Sequence, residues 1–225
     1  MTMIVMLAVI FMLMTRASDP GTWRWLTNEP ASTSHDDQTV GSDSRAAGEA
    51  TDDSVQWTLN GPTDQDPEEA DAAREEYQAI TDKAPLQRVE MPSYWRMLKW
   101  VENQPLALLE GRSQKDVLFT NFAETPNKYR GKIAHLKLHL MRSLTYETED
   151  SPVGIKRLYE AWGWTDESQP WPYVVVFADR PPEMPIGPDI REEAGFDGYF
   201  LKLMSYEAHD KTRFAPLLVG RIVWH

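Results

Sequence analysis

Apolar and polar residues alternate over a long stretch in the second half of the chain, and this pattern limits the fold more than any other. From Lys132 to Tyr146, the even positions are mostly apolar and the odd positions mostly polar. Side chains in a β-strand point alternately to the two faces of its sheet. The pattern therefore predicts a half-buried strand, and its length predicts a bend or bulge near Arg142.

Four further segments have the character of strands. The sequence predicts them at 155–164, 173–177, 196–206 and 217–224. A proline-rich stretch at 181–188 separates the third strand from the fourth, and so many prolines exclude both sheet and helix there. Five strands with a long curved first member predict an α+β fold, in which short helices precede an OB-like five-stranded antiparallel β-barrel at 113–225.

Three short motifs resemble OB-fold-like modules of bacterial envelope proteins, a group that is largely uncharacterised. The segment from Val117 to Ile133 contains Pro126-Asn127-Lys128-Tyr129-Arg130-Gly131-Lys132, similar to the lead into the first strand of those modules. Phe196 to Lys202 and Ala215 to Leu218 are similar to their fourth and fifth strands. The sequence differs at Leu138 or His139, where many of these modules have glycine. The resemblance implies a backbone and no functional residues.

Helices are predicted between residues 66 and 112. Asp66-Pro67-Glu68-Glu69 has the features of a helix start, with a capping Asp, Pro at the first position and acids at the positive end of the dipole. Ser93 is expected to cap a second helix that contains Trp95 and Trp100 and ends before Pro105. We expect both tryptophans to pack on the sheet, since aromatic rings dominate ordinary cores.

The first sixteen residues indicate a membrane-directed segment. Residues 1–14 carry no charged side chain, although the mean hydropathy of the chain is −0.52. The apolar block has the length of a signal-peptide core and is shorter than the roughly 20 residues of a spanning helix. Three interpretations stay open: an export signal, cleaved or uncleaved, a short membrane anchor, or a buried helix. The first two place the rest of the chain outside the cytoplasm, in the bacterial cell envelope.

Residues 17–65 are predicted to form a disordered acidic linker. Sixteen acidic and three basic residues lie between Asp19 and Asp82, a net charge of −13 against −12 for the whole chain, so the acidic excess belongs to this stretch and the remainder is about neutral. Such a composition buries too little apolar surface to offset the entropy of ordering. The chain has no cysteine, which excludes disulfides, thiolate metal sites and cysteine nucleophiles.

Catalytic and metal-binding motifs are weak in this sequence. His135 and His139 would share one face of a strand about 13 Å apart, too far for one metal ion. Phosphate-binding glycine loops, dinucleotide motifs and Gly-x-Ser-x-Gly are absent. We therefore expect neither cofactor nor metal and predict that the protein is not an enzyme. A hydrolase would need a pocket that gathers His135 or His209 with carboxylates.

Basic and aromatic residues of the predicted strands suggest a binding face. Its candidate members are Lys137, Lys156, Arg157, Trp162, Trp164, Tyr199 and Lys202. The sequence predicts a non-enzymatic, membrane-tethered extracytoplasmic module for binding or assembly, with the membrane at 1–16 and a protein of the envelope as partners. The alternative is an OB-type binder of oligosaccharide or single-stranded nucleic acid. The near-neutral domain and its exported location argue against nucleic acid.

Overall fold

A computed structural model describes residues 59–148, 151–208 and 211–224 of the chain. Residues 55–225 cluster into one compact unit, separate from residues 1–54. The predictions of a membrane-directed segment at 1–16 and of a disordered linker at 17–58 lie outside the described residues. For residues 59–65, the prediction of a disordered linker is wrong, because Thr63 is fully buried and Asp64 forms an ion pair with Arg112. None of the helices in the described ranges combines the length and apolar character that crossing a bilayer requires.

Five strands form one sheet that closes into a ring. They are β1 (Ile133–Glu147), β2 (Arg157–Trp164), β3 (Tyr173–Phe177), β4 (Glu192–Glu207) and β5 (Thr212–Trp224). The order around the ring is β1-β2-β3-β5-β4, and β1 closes it by pairing with both β2 and β4. The fold class is therefore α+β, as the sequence predicts.

The sheet is mixed, so the prediction of a wholly antiparallel sheet is wrong. β3 and β5 run parallel, with Val174 to Val176 opposite Leu217 to Val219. The other four pairs are antiparallel. Parallel neighbours need a long connection. Here that connection is the proline-rich loop together with β4, which passes to the other side of β5.

The first strand contains the irregularity that its length predicts. The register between β1 and β2 shifts between Leu140 and Arg142, which is the position expected for a bulge. Before the shift, Leu136, Leu138 and Leu140 point into the ring and are buried. The bulge increases the local bend, and this lets one long strand pair with two neighbours that lie on different sides of it.

Two hydrophobic clusters stabilise the unit. One of them fills the interior of the ring and includes Leu138, Val175, Phe196 and Leu218. Phe122, which precedes β1 in the chain, also belongs to this cluster. The second lies between the outer surface of the ring and the helices. Since side chains alternate between the two faces of each strand, one sheet serves both clusters.

The helices are α1 (Pro67–Glu76), α2 (Met91–Asn103), α3 (Leu106–Arg112), α4 (Phe119–Glu124) and α5 (Pro126–Tyr129), with 3₁₀ turns at Tyr77–Ala79 and Arg88–Glu90. α1 begins after Asp66 as predicted. Trp100 of α2 is buried in the second cluster, which confirms its predicted packing role.

Ser93, however, lies inside α2 and is buried, so the prediction that it caps the helix is wrong. Glu90 stands at the cap, and Pro92 lies in the first turn, where a missing N–H costs nothing.

Gly131 turns the chain from α5 into β1. Its φ angle is +76°, a conformation that side chains oppose. A Cβ atom there would also lie 2.6 Å from the hydroxyl of Tyr77. Gly131 therefore has a structural role in this turn. Tyr129 packs against Phe122 and the interior cluster.

Candidate functional site

The outer face of β1 carries polar residues beside open clefts, and α3 borders this face. His135 and His139 are half-buried and Lys137 is exposed, while Leu136 and Leu138 between them point inward. Elsewhere on the ring, α2 packs against β4 and β5 and covers their outer surface with the second hydrophobic cluster. The exposed stretch of β1 is therefore the part of the sheet where polar side chains can meet a ligand.

Two open clefts lie along this face and share His135, Lys137 and Asp166. The first has a volume of about 560 Å³, and the second about 430 Å³. The first is bounded by the stretch between α3 and α4 and by the loop after β2; besides the shared residues it is lined by Glu110, Lys115, Val117, Leu118, Leu136, Thr165 and Glu167. The second is bounded by β4 and is lined also by Leu138, His139, Glu193, Ala194 and Gly195.

A buried carboxylate orients His135. The Nδ1 atom of His135 lies 3.0 Å from Oδ1 of Asp197, which faces it across the β1–β4 ladder. Only 2% of the Asp197 side chain is exposed, against 26% for His135. A carboxylate acceptor favours a hydrogen on Nδ1, which leaves Nε2 as the free nitrogen of the ring. His135 lines both clefts.

His139 has two acidic neighbours at the surface. Its Nε2 atom lies 2.8 Å from Oδ1 of Asp166 in the loop after β2. Its Nδ1 atom lies 3.8 Å from Glu193 of β4. These contacts connect the β2–β3 loop and β4 across β1, so the two histidines belong to different local networks.

Two partly exposed tryptophans stand beside the clefts. Trp164 faces His139 across the β1–β2 ladder and directly precedes Thr165 and Asp166 of the cleft wall. Trp171 is 43% exposed and stacks on Phe119, with ring centroids 6.3 Å apart. The backbone N–H of Phe119 donates to Glu167, another residue of the first cleft. Trp164 thus adjoins the wall of the first cleft in the chain, whereas the ring of Trp171 also contacts the guanidinium of Arg213, 6.0 Å from its centroid.

The structure brings together two of the seven predicted binding residues. Lys137 lines both clefts, and Trp164 stands beside them. Lys156 and Arg157 are exposed at the other end of the β1–β2 hairpin, where Arg157 pairs with Glu147. Trp162 packs edge-on against Tyr206 in the second hydrophobic cluster. One continuous basic and aromatic face does not form.

Tyr199 and Lys202 are fully buried, so the prediction that they contact a ligand at the surface needs correction. The ammonium of Lys202 donates to both carboxylate oxygens of Glu90, at 2.6 and 2.8 Å. The hydroxyl of Tyr199 donates to Asp64 at 2.5 Å and accepts from Gln104 at 2.8 Å. Both side chains fasten the helical layer to the ring. Burial raises the pKa of Tyr199 well above its ordinary value, and the charge of Asp64 adds to the effect.

Acidic residues of the clefts are the part of the site that the sequence analysis missed. Asp166 and Glu193 each belong to a pair of adjacent acidic residues, a pattern too common in sequences to indicate a site. A signal existed for Asp197, since it interrupts the apolar run of a predicted strand. A lone acid in such a position needs a buried partner, and His135 on the neighbouring strand provides it.

Carboxylates outnumber ammonium groups in the clefts. Four of them, Glu110, Asp166, Glu167 and Glu193, stand against Lys115 and Lys137. In the described part of the chain, no group of three or more potential ligand residues is arranged to hold a metal ion. The clefts therefore offer hydrogen-bond donors and acceptors in close alternation.

No protein family model, curated protein or solved structure was found to match this chain. The resemblance to OB-fold-like envelope modules therefore stays a prediction that rests on the three motifs.

Proposed function

We propose that this protein is a non-enzymatic binding module with an OB-like barrel, tethered to a membrane and exposed outside the cytoplasm. Its ligand or partner docks on the clefts of β1. The membrane contact is made by residues 1–16, and the chain from residue 17 to residue 58 acts as the tether, since residues 59–65 belong to the folded unit. Neither cofactor nor metal takes part in this function.

Strand order supports the OB-like description. A long bent first strand pairs with both β2 and β4, and the chain returns by a long connection before β4. Five strands in this Greek-key arrangement are typical of the OB-fold, which binds oligosaccharides and oligonucleotides on its outer strands and loops. The closed ring around a filled interior leaves no internal space for a ligand.

One observation carries the proposal: the outer surface of the ring has one side covered by helices and one side that keeps polar clefts. On the covered side, Trp100 and Leu201 are buried in a hydrophobic cluster. On the open side, charged side chains line about 560 Å³ of accessible space. Binding sites of small ligands have volumes in this range and place polar groups at fixed positions.

A labelling experiment tests the location. Because the chain has no cysteine, a single cysteine at the exposed Lys156 is the only thiol in the protein. A membrane-impermeant maleimide should label the K156C variant in intact spheroplasts to the same extent as in permeabilised ones. The protein should also sediment with the membrane fraction.

Two controls make this result decisive. A K156C variant that lacks residues 1–16 should stay inside the cell and react only after permeabilisation. A variant with cysteine at the fully buried Leu218 should react only after denaturation. Labelling of K156C only in permeabilised spheroplasts, or recovery of the full chain in the cytosol, would refute the proposed location.

Hydrolysis is a second candidate function, because the clefts gather His135 with carboxylates as a hydrolase requires. Nε2 of His135 would take a proton from water, the hydroxide would attack an ester carbonyl, and the proton would pass to the leaving alcohol. Purified protein should then cleave p-nitrophenyl acetate faster than H135A, with H139A unaffected. Equal rates for the three proteins would exclude this candidate and leave the binding proposal standing.

A further inference from the structure

We propose that the clefts on β1 bind a neutral oligosaccharide. This inference rests on the proposed function, since it names the ligand of the same site. Four properties of the clefts point to a chain of hydroxyl-bearing rings: their hydrogen-bonding groups, their charge, the pairing of β1 and the aromatic side chains beside them.

The hydrogen-bonding groups of the clefts suit hydroxyls. Carboxylates such as Asp166 and Glu193 only accept, whereas the ammonium of Lys137 only donates. A hydroxyl group does both, so neighbouring hydroxyls of a sugar can satisfy the two kinds of side chain at once. The free nitrogen of His135, fixed by Asp197, adds one further partner of defined direction.

The charge of the clefts argues against an anionic polymer. Carboxylates outnumber ammonium groups by four to two along the walls. Like charges placed across an interface cost several kcal/mol and reject wrong partners. Nucleic acid and sulfated glycans would meet this repulsion, but an uncharged sugar does not.

Backbone pairing argues against an extended peptide. A peptide that adds to a sheet needs a free edge of several residues. β4 pairs with Ile133 to Leu140 and β2 with His139 to Glu147, while Gln114 bridges Ala134, so the edge of β1 away from β4 is open for just the few residues between Ala134 and His139. Charged and half-buried polar side chains also occupy the face of β1 between Lys115 and Glu193, where a peptide would need apolar pockets.

Trp164 offers an aromatic ring for a sugar. It is partly exposed and directly precedes Thr165 and Asp166 of the cleft wall. Trp171 is already engaged by Phe119 and by the guanidinium of Arg213. Aromatic rings with one apolar face and a wet rim are enriched where a ligand is part polar and part apolar. The C–H face of a sugar ring packs on such a ring while its hydroxyls reach the carboxylates.

A glycan array tests the inference with the full chain. The protein is purified in a detergent without a sugar head group and applied to neutral oligosaccharides of glucose, galactose, mannose and N-acetylglucosamine. Heparin fragments, oligothymidylate and a peptide library serve as the other probes. Isothermal titration then measures the affinity for the strongest neutral oligosaccharide.

Three variants locate the site. Loss of the ring in W164A should weaken binding about tenfold. D166A should weaken it about fivefold, and since 93% of the Asp166 side chain is exposed, this variant should fold normally. K156A is the matched control, an exposed residue at the other end of the hairpin, and it should bind like the wild type.

Each outcome decides the matter. Binding to a neutral oligosaccharide that falls in W164A and D166A and persists in K156A supports the inference. No binding to any neutral oligosaccharide overturns it, as does binding that survives both cleft variants. Cleft-dependent binding of heparin, oligothymidylate or peptide overturns the ligand class but keeps the binding module. The cysteine labelling reports on location independently of all these results.

Discussion

Lys202 shows at the residue scale how a polar side chain becomes part of the core. Its ammonium meets both oxygens of Glu90 and the carbonyl of Pro85, and neither charged side chain is exposed. The Glu90 carboxylate also accepts from the backbone N–H groups of Thr81 and Gln87. All of these partners lie between Thr81 and Glu90, a segment that ends with the second 3₁₀ turn. The ion pair between Lys202 and Glu90 connects this segment to β4.

Replacing Lys202 with methionine should destabilise the fold strongly. The K202M variant keeps the volume of the side chain but leaves the buried Glu90 carboxylate without its counter-charge. Removing one partner of a buried pair costs about 3–5 kcal/mol. Urea denaturation followed by circular dichroism measures the loss. K156M, at an exposed site, should change stability by less than about 0.5 kcal/mol, and a similar value for K202M would contradict the role of the pair.

The sequence could not reveal that Lys202 and Tyr199 are buried. Lysine in a strand ordinarily faces water, and the alternation along β4 gives no warning. The register between β4 and β5 shifts between Phe200 and Lys202. Consequently Leu201 packs in the cluster beneath the helices and Lys202 reaches Glu90 on that same side. Only the partner, 112 residues away in sequence, explains the position.

At the element scale, β4 and β5 pack closely because two glycines face each other. Gly198 and Gly220 are directly opposite in the β4–β5 ladder. A Cβ atom on Gly220 would lie 2.1 Å from the carbonyl oxygen of Asp197 and 2.5 Å from the Cα atom of Gly198. These atoms belong to the backbone, so relief requires that the strands separate.

Alanine at two glycines should therefore have opposite effects. G220A should lower the free energy of unfolding by about 3 kcal/mol, because the added Cβ atom must push β4 and β5 apart. G111A lies in α3, where an added Cβ meets no heavy atom within 4 Å, and it should gain about 0.5 kcal/mol from helix propensity. Thermal unfolding of both variants beside the wild type checks the signs. A destabilising G111A would contradict the open surroundings of that residue, and a neutral G220A would contradict the close approach of β4 and β5.

Periodicity predicted whole elements and missed their ends. It placed β1 and β3 within a residue of their observed bounds, since alternation and a continuous apolar run are strong signals. It missed Glu192 to Gly195 of β4 and Thr212 to Pro216 of β5, where charge, glycine and proline hide the strand. Those residues join the sheet because the adjacent residues of the same strands are already paired. The parallel pairing of β3 with β5 depends on contacts distant in sequence, which no local pattern encodes.

At the scale of the whole molecule, buried tyrosines should make the fold sensitive to alkali. Burial raises the pKa of Tyr77, Tyr94, Tyr173 and Tyr199 above their ordinary value. Above pH 10 the unfolded chain releases these protons while the folded chain keeps them, so the free energy of unfolding falls as the pH rises. Below pH 10 their stabilising contribution is fully present.

Absorbance at 295 nm and urea denaturation between pH 8 and pH 12 test this expectation. Tyrosinate absorbance from the buried rings should appear together with unfolding and not before it. Y199F loses the bonds to Asp64 and Gln104 and should be less stable at pH 8, but its stability should fall less steeply with pH. Early titration of all eight tyrosines in the folded protein would contradict the burial of these four.

Deleting residues 1–54 should separate the two properties that the proposal assigns to this chain. Both hydrophobic clusters are built from residues between Ala73 and Trp224. Residues 55–225 form one compact unit. The free energy of unfolding of the truncated chain, measured by urea denaturation, should therefore agree with that of the full chain within about 0.5 kcal/mol. It should also leave the membrane fraction, because the apolar block is missing.

An intermediate deletion of residues 17–54, which keeps the block at 1–16, should unfold like the full chain and stay with the membrane. If the truncated chain still sedimented with membranes, the membrane contact would lie in the folded unit and the tether proposal would be wrong. If it unfolded at markedly lower urea, residues 1–54 would contribute to the fold and could not be a tether alone.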